Sequence, residues 1–108
     1  MSYYGKERKA DVFDAFANRK SAIAGNWHSD GQALCLHGNR IATWQPDGSL
    51  TLTDAGWTTS TTASGLRAVL SLVTGRWELS RWVLFDKQTH KRRLWPGTFT
   101  IPADDLRY

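Results

Sequence analysis

The sequence has little cysteine, proline or methionine, and it has no long apolar run. Its 108 residues include one cysteine, three prolines and one methionine. The single Cys35 cannot form an internal disulfide, which favours a reducing, cytoplasmic setting. No apolar stretch approaches the roughly 20 residues of a membrane-spanning helix. The first residues, MSYYGKERKADVF, lack the apolar centre of a secretory signal. We therefore expect a cytoplasmic protein that does not enter membranes.

Internal repeats and linkers are also missing, so residues 1–108 are expected to form a single domain. A hydrophobic fraction of 41% and a charged fraction of 22% are typical of a soluble globular protein. Six tryptophans are many for this length, and we expect most of them to fill the core.

Positive charge is concentrated at both ends of the chain. The net charge is +4, with five Lys/Arg against three acids in residues 1–20 and seven against four in residues 76–108. Residues 21–75 carry two against three. A basic protein of this kind favours polyanionic partners.

An amphipathic helix is predicted within residues 6–20. Val12, Phe13, Phe16 and Ala17 recur on one side of such a helix, as in a core-facing stripe. Asn18 or the basic pair after it is expected to end the helix.

Residues 22–54 contain three turn signals at even spacing, which predicts a four-stranded antiparallel meander. The turns are Asp30-Gly31, Gly38-Asn39 and Pro46-Asp47-Gly48. The predicted strands are 22–28, 33–37, 40–45 and 50–54.

The preferred register of this meander gathers its apolar residues on one face. It pairs Trp27 with Leu34, Leu36 with Ile41 and Thr43 with Leu52. The third connection then has four residues, because a loop of three would place Leu50 and Leu52 on the other face. The shared face comprises Trp27, Leu34, Leu36, Ile41, Thr43, Leu50 and Leu52, and the second face carries His28, Cys35, His37 and Trp44.

A run of hydroxyl side chains, WTTSTTASG, precedes a second helix, predicted at about residues 62–74. Leu66, Val69, Leu70 and Val73 form its apolar stripe, and Gly75 follows as a stop signal. Thr61, Thr62 or Ser64 is expected to cap its first turn. The run lacks the Gly-x-x-x-x-Gly-Lys-Ser/Thr pattern of a phosphate-binding loop, and it has no neighbouring base that would activate a nucleophile.

The last third of the chain predicts a β-hairpin with a five-residue tip at 87–91. This register pairs Asp86 with Arg92, Leu84 with Leu94 and Leu79 with Phe99, and Pro96 makes the last strand an edge strand. The fold class is therefore α+β: a short N-terminal helix, a four-stranded antiparallel meander, one helix and a C-terminal β-hairpin.

Neither a catalytic centre nor a metal site is predicted. His28 and His37 lie about 13 Å apart in the predicted register, too far to share one zinc ion. Cys35 is interpreted as a small buried side chain. We find no acid–base or nucleophilic constellation, and we expect a protein that is not an enzyme and needs no cofactor.

The clearest functional signal is the basic hairpin tip with its neighbouring tryptophans. Cations bind phosphates and flat rings stack on bases, as nucleic-acid binding requires. The alternative is a solvated tip whose charges keep an edge strand from aggregating. The candidate binding residues are Lys87, His90, Lys91, Arg92, Arg93, Trp82 and Trp95, joined by Lys6, Arg8 and Lys9 of the N-terminal helix.

Three segments resemble a group of small uncharacterised phage-type proteins. They are Gly25-Asn26, Arg40-Ile41-Ala42 and the stretch from Trp57 to Thr62, within residues 20–70. The group shares a β-meander followed by a Ser/Thr-capped helix, often with a His after the hydroxyl run, where this chain has Ser64. The resemblance implies a phage or mobile-element origin, and hence the host cytoplasm, but no agreed activity.

Two functions remain open at this point. The first is a non-catalytic accessory protein that binds DNA or RNA through the basic tip. The alternative is a protein-binding inhibitor or adaptor that acts on a host component, for example an anti-defence protein such as an anti-CRISPR. Its docking surface would be an exposed aromatic patch or the second face of the meander. The sequence leaves the partner and the choice between monomer and homodimer undetermined.

Overall fold

The structure is a computed structural model, and it describes residues 8–107. These residues form two helices, nine strands and a short 3-10 helix, with the strands in two antiparallel sheets. The predicted α+β class is therefore confirmed. The helices are α1 (Lys9–Ala17) and α2 (Ser60–Val73). The strands are β1 (Ser21–Ala24), β2 (Trp27–Asp30), β3 (Ala33–Leu36), β4 (Asn39–Trp44), β5 (Leu50–Thr53), β6 (Trp77–Ser80), β7 (Val83–Asp86), β8 (Lys91–Leu94) and β9 (Thr98–Ile101).

Helix α1 buries the stripe that its sequence predicts. A carboxylate oxygen of Asp11 accepts a hydrogen bond from the backbone N–H of Arg8 at 2.9 Å, which stabilises the first turn. Asn18 ends the helix, as expected. The predicted apolar residues are all buried: Val12, Phe13, Phe16 and Ala17.

The larger sheet has six strands in the order β1-β2-β3-β4-β5-β9. The segment 22–28, predicted as one strand, is two strands joined by a tight turn at Gly25-Asn26. Gly25 has a φ of +59°, a value that glycine adopts at little cost. The sheet therefore gains a hairpin that the sequence prediction missed.

The β2–β3 hairpin turns one residue later than predicted. Trp27 pairs with Leu36 rather than with Leu34. A carboxylate oxygen of Asp30 accepts from the backbone N–H groups of Gln32 and Ala33, at 2.9 and 2.7 Å, which keeps Asp30 in the strand. The pairing shifts by two residues, so the same side chains still face the core.

A β-bulge in strand β4, absent from the predicted register, changes which side chains of the meander face the core. Leu34 pairs with Ala42 while Cys35 pairs with Arg40, so Ile41 is the additional residue. The next connection uses the three-residue loop that the prediction had set aside, and the bulge restores Leu50 and Leu52 to the core side. Thr43 consequently leaves the apolar face, and Trp44 joins it.

Trp44 is therefore buried rather than part of a second, exposed face. Its ring stacks on Phe16 at 5.6 Å between ring centroids, and its Nε1–H donates to the Phe16 carbonyl at 3.0 Å. These contacts fix α1 on the larger sheet.

Helix α2 begins two residues earlier than predicted, with Thr59 as its cap. The Thr59 hydroxyl accepts from the backbone N–H of Thr62 at 3.2 Å. The hydroxyl run is thus a helix start, although none of the three expected residues is the cap. Gly65 lies directly on the ring of Trp27, and a Cβ there would overlap that ring.

The smaller sheet has three strands in the order β6-β7-β8. The predicted first strand of the C-terminal hairpin is interrupted at Arg81-Trp82, where a two-residue turn joins β6 to β7. The second turn, the tip, has four residues, 87–90, rather than five. Asp86 therefore pairs with Lys91 instead of Arg92, and Leu84 pairs with Arg93 instead of Leu94.

Strand β9 leaves the smaller sheet and completes the larger one. Phe99 pairs with Leu52 of β5 rather than with Leu79. The last strand, β9, is an edge strand of the larger sheet, as predicted. Strand β8 is an edge strand of the smaller sheet. Pro96 lies in the connection between them.

The two helices connect the sheets into one core. Helix α1 packs on β1 and β2 and against α2, and α2 also packs on β6 of the smaller sheet. The largest fully buried side chains come from both helices and both sheets: Phe16, Leu34, Ile41, Leu50, Leu52, Leu66, Leu70, Leu79, Leu84 and Ile101. Within residues 8–107 neither helix has the length and apolar character to cross a membrane.

Candidate nucleic-acid interface

Strand β8 presents three consecutive cations at the outer edge of the smaller sheet. Lys91, Arg92 and Arg93 are all exposed, and the strand pairs with β7 on one side only. Among the described residues, no carboxylate lies within 4.0 Å of any of these three side chains. Their positive charge is therefore available to a ligand.

Two of these cations are held over aromatic rings. The guanidinium carbon of Arg92 lies 5.8 Å from the ring centroid of Phe85, and that of Arg93 lies 5.7 Å from the ring of Phe99. Such cation–π contacts orient a guanidinium without neutralising it.

Strand alternation divides the predicted cluster between two faces. Lys91 and Arg93 share a face with their partners Asp86 and Leu84, whereas Arg92 projects on the opposite face with Phe85. A shallow depression of about 260 Å³ reaches all three cations, and its other lining residues are Trp77, Asp86 and Thr89. Lys91, Arg92 and Arg93 therefore form one basic surface along the edge of β8, although their side chains lie on two faces.

Asp86 organises the tip through its carboxylate. Its oxygens accept from the Arg76 side chain at 3.1 and 2.9 Å and from the backbone N–H of Gln88 at 2.9 Å. The Arg76 guanidinium, together with the backbone N–H of Gln88, holds the pKa of Asp86 well below its usual range. Asp86, the cross-strand partner of Lys91, is thus paired with Arg76 and leaves the strand cations unneutralised.

The other two predicted tip residues are exposed but point to different surroundings. Lys87 borders a depression shared with Arg67 of α2, and its N–H donates to the Arg76 carbonyl at 2.8 Å. His90 closes the tip with a φ of +61°, and its ring centroid lies 6.3 Å from that of Phe85. His90 therefore accompanies Arg92, and Lys87 does not.

Trp82 and Trp95 lie at the opposite end of the smaller sheet from the tip. Trp82 occupies the β6–β7 turn, about 13 Å along β7 from the tip, and its ring centroid is 5.8 Å from that of Trp95. The Nε1–H of Trp95 donates to Asp54 at 3.0 Å. Both rings are half-buried, and they join the two sheets rather than extend the basic tip.

The N-terminal cations are not brought to this edge. Arg8 and Lys9 are exposed at the start of α1, and α1 packs on β1 and β2 of the larger sheet. Lys6 lies outside the described residues. The structure therefore brings His90 together with Lys91, Arg92 and Arg93, and it separates the other candidates that it describes from this group.

An apolar strip occupies the outward face of the smaller sheet. Leu94 is 79% exposed, and it lies beside its partner Val83. Phe85 follows on the same face, under Arg92. The two-residue turn at Arg81-Trp82 sets this alternation, because it places Leu84, rather than Val83 and Phe85, on the same face as the buried Leu79.

The residues weighed for metal binding lie closer together than predicted. His28 pairs with Cys35, two residues from His37, so the distance argument used the wrong register. Across residues 8–107, however, no cluster of three potential ligands forms. Cys35 is half-buried rather than fully buried, and burial raises the pKa of its thiol.

A cavity of about 340 Å³ lies between the β3–β4 turn and the start of α2, and the sequence did not indicate it. We call it the Trp57 cavity. It forms where two segments that are distant in sequence, residues 36–41 and 54–62, meet in space. Its lining residues are Leu36, His37, Asn39, Ile41, Asp54, Trp57, Thr59, Thr61 and Thr62.

Comparison with known proteins gives one family. No curated protein and no solved structure shows a significant match. The sequence profile of the Kyanoviridae Gp96 protein family, a family of phage proteins, matches residues 8–90. This range includes both helices and most of both sheets, so the predicted phage origin is confirmed, while the likeness says nothing about activity. The chain belongs to the Kyanoviridae Gp96 protein family.

Proposed function

We propose that this phage protein is a non-catalytic accessory protein that binds nucleic acid in the host cytoplasm through strand β8 and the adjoining tip. The observation that carries the proposal is the row formed by Lys91, Arg92 and Arg93. These cations are exposed, consecutive and unpaired with any acid of residues 8–107. Phosphate contacts supply most of the affinity in sequence-independent binding.

The geometry supports binding beyond the charge itself. A narrow β-ribbon can approach a nucleic-acid groove or backbone. The Phe85 and Phe99 rings orient the two guanidiniums, so less side-chain freedom is lost when a phosphate binds. A solvated, protective edge would not need oriented guanidiniums.

The test measures binding of labelled DNA and RNA as a function of salt. The double variant Arg92→Ala with Arg93→Ala should bind more weakly at low salt. For single strands the slope of log affinity against log salt should fall in magnitude by about 1.4, because two phosphate contacts are lost. Wild-type protein that retains neither DNA nor RNA at low salt would refute the proposal.

A matched control separates this site from general charge. Lys20→Ala with Arg40→Ala removes the same charge from two exposed positions, one just before β1 and one on β4 of the larger sheet. This control should keep most of the affinity. Equal losses in the two double variants would show that only net charge matters and would contradict a site on β8.

The apolar strip of Val83, Phe85 and Leu94 favours a second candidate function. Exposed apolar area on a small domain often marks a protein partner, so the protein would act as an inhibitor or adaptor of a host component. A partner captured from nuclease-treated lysate at high salt, and lost in Leu94→Asp, would support this role. Loss of the captured material after nuclease treatment would instead support nucleic acid.

A further inference from the structure

Trp57, at the mouth of the Trp57 cavity, is an exposed ring on a fixed backbone. Its side chain is 58% exposed. Its backbone N–H donates to the Asp54 carbonyl at 2.8 Å, and the Gly56 N–H donates to the Asp54 carboxylate at 2.7 Å. The ring is thus presented to solvent with little backbone freedom left to lose on binding.

The walls of the cavity suit an uncharged, flat group. Leu36 and Ile41 provide apolar surface beside Trp57, and the volume of about 340 Å³ lies in the range of small-ligand pockets. The lining contains the carboxylate of Asp54 and neither Lys nor Arg. A phosphate is therefore disfavoured inside, although phosphates are favoured on β8.

The polar groups at the rim suit the edge of a nucleobase. Asn39 offers an amide donor and acceptor, and Thr61 offers a hydroxyl. The Thr59 hydroxyl lies 3.0 Å from that of Thr62 and already caps α2, so the helix end is satisfied within the protein. Unpaired bases are recognised by stacking on an aromatic ring and by hydrogen bonds to their edges.

The cavity adjoins the end of the basic strand. Asp54 forms part of its wall and accepts the hydrogen bond from Trp95, which directly follows β8. Only Leu94 lies between Arg93 and Trp95, so the two residues are roughly 7 Å apart along the extended chain. A strand of nucleic acid along β8 therefore has the cavity at one end of its path.

We propose that the Trp57 cavity receives one base of a single-stranded nucleic acid whose phosphates lie on strand β8. This inference rests on the proposed function and specifies its substrate class. Trp57 stacks on the base, Asn39 and Thr61 contact its edge, and Arg92 and Arg93 hold the neighbouring phosphates.

The test compares a labelled oligothymidylate with an abasic strand of the same length by fluorescence anisotropy. Trp57→Ala should weaken binding of oligothymidylate by roughly tenfold, as expected for one lost stacking contact. The salt slope should not change, because no charge is removed. Trp57→Tyr should stay close to wild type. The abasic strand should bind less tightly to wild type, and Trp57→Ala should lower that affinity no further.

The outcomes separate this inference from the proposed function. If Trp57→Ala binds oligothymidylate as wild type does, while Arg92→Ala with Arg93→Ala is weaker, the cavity assignment is wrong and the basic strand stands. Equal losses on both strands would also overturn it, because the ring would not be contacting a base. If only a nuclease-resistant protein partner is lost with Trp57→Ala, the occupant is a protein side chain. Thermal unfolding followed by circular dichroism verifies that each variant is folded.

Discussion

The two sheets make their tight turns with different residues. In the larger sheet the β3–β4 turn has a φ of +52° at His37 and +81° at Gly38, so glycine occupies one of its two left-handed positions. In the smaller sheet the β6–β7 turn has +49° at Arg81 and +63° at Trp82, without a glycine. Such turns favour Asn-Gly, and other residues are strained there.

The two sheets also differ in how much of their surface is buried. The larger sheet supplies much of the core, whereas strand β8 of the smaller sheet is exposed along its whole length. The smaller sheet thus combines a turn that is strained at both central residues with a strand of exposed cations. Strain of this kind tends to be retained where a function requires it. The comparison agrees with a larger sheet that supplies most of the core and a smaller sheet that carries the basic surface.

The largest expected effect tests the scaffold. Leu34 in β3 is fully buried, and Leu34→Ala should lower the free energy of unfolding by about 2–5 kcal/mol. Leu94→Ala in β8 should change it by less than about 0.5 kcal/mol, because Leu94 is 79% exposed. Chemical denaturation measures both. Similar losses in the two variants would contradict the division between core and surface.

The next prediction compares the two contacts of α2. Gly65→Ala should cost about 1–3 kcal/mol, because its methyl group would overlap the ring of Trp27 in the larger sheet. Ala68 instead borders a gap of about 330 Å³ on the side of the smaller sheet. Ala68→Leu should therefore be tolerated within about 0.5 kcal/mol. Thermal unfolding of both variants is the measurement, and a Gly65→Ala protein as stable as wild type would disprove the close contact.

The sequence was sufficient to predict the local elements that carry strong periodicity. The buried stripes of α1 and α2 and the turn at Pro46-Asp47-Gly48 depend on nearby residues alone. The turn at Arg81-Trp82 has no Gly or Asn to signal it, so one strand was predicted where two exist. A continuous hairpin then pairs Phe99 with Leu79, whereas Phe99 pairs with Leu52 of the larger sheet. Phe99 fits the apolar pattern of either sheet, so the pattern alone does not choose between them.

The candidate site was predictable to a similar extent. The exposure of Lys91, Arg92 and Arg93 follows from their composition and their position near a turn. Their alternation between two faces follows from any extended strand, whereas their partners on β7 depend on a tip of four rather than five residues, which the sequence does not specify. The Trp57 cavity needs His37, Asp54 and Thr61 to meet in space, and no local pattern encodes such a meeting.

The ion pair between Asp86 and Arg76 should make the stability of the smaller sheet depend on pH. The pKa of Asp86 is lowered in the folded protein, chiefly by Arg76. A carboxylate of this kind stabilises the fold above its unfolded pKa of about 4, and the contribution is lost as the pH falls through the folded value. Asp86→Asn should be less stable than wild type near neutral pH, by less than the core variants, and this gap should narrow below about pH 4.

The difference between the two unfolding curves isolates Asp86 from other acids. Asp30 and Asp47 of the larger sheet also have lowered pKa values, caused by hydrogen bonds from neighbouring groups, but they are common to both proteins. Asp104→Asn, at an exposed position, serves as the charge control. A gap that stays constant down to pH values well below 4 would show that the Arg76 contact does not depend on the ionised carboxylate.

The smallest expected effect is a gain in stability, and it concerns the strained β6–β7 turn, with the β3–β4 turn as its comparison. Arg81→Asn should raise the free energy of unfolding by about 0.5–1 kcal/mol, because Asn adopts the left-handed conformation more readily than Arg. Gly38→Ala, in the corresponding turn of the larger sheet, should lower it by about 1 kcal/mol for the same reason. Equilibrium denaturation resolves both changes. If Arg81→Asn is destabilised, the Arg81 side chain makes a contact that outweighs the strain. If it is more stable and also binds nucleic acid less tightly, then Arg81 is retained at a strained position for binding, which extends the basic surface to the second end of the smaller sheet.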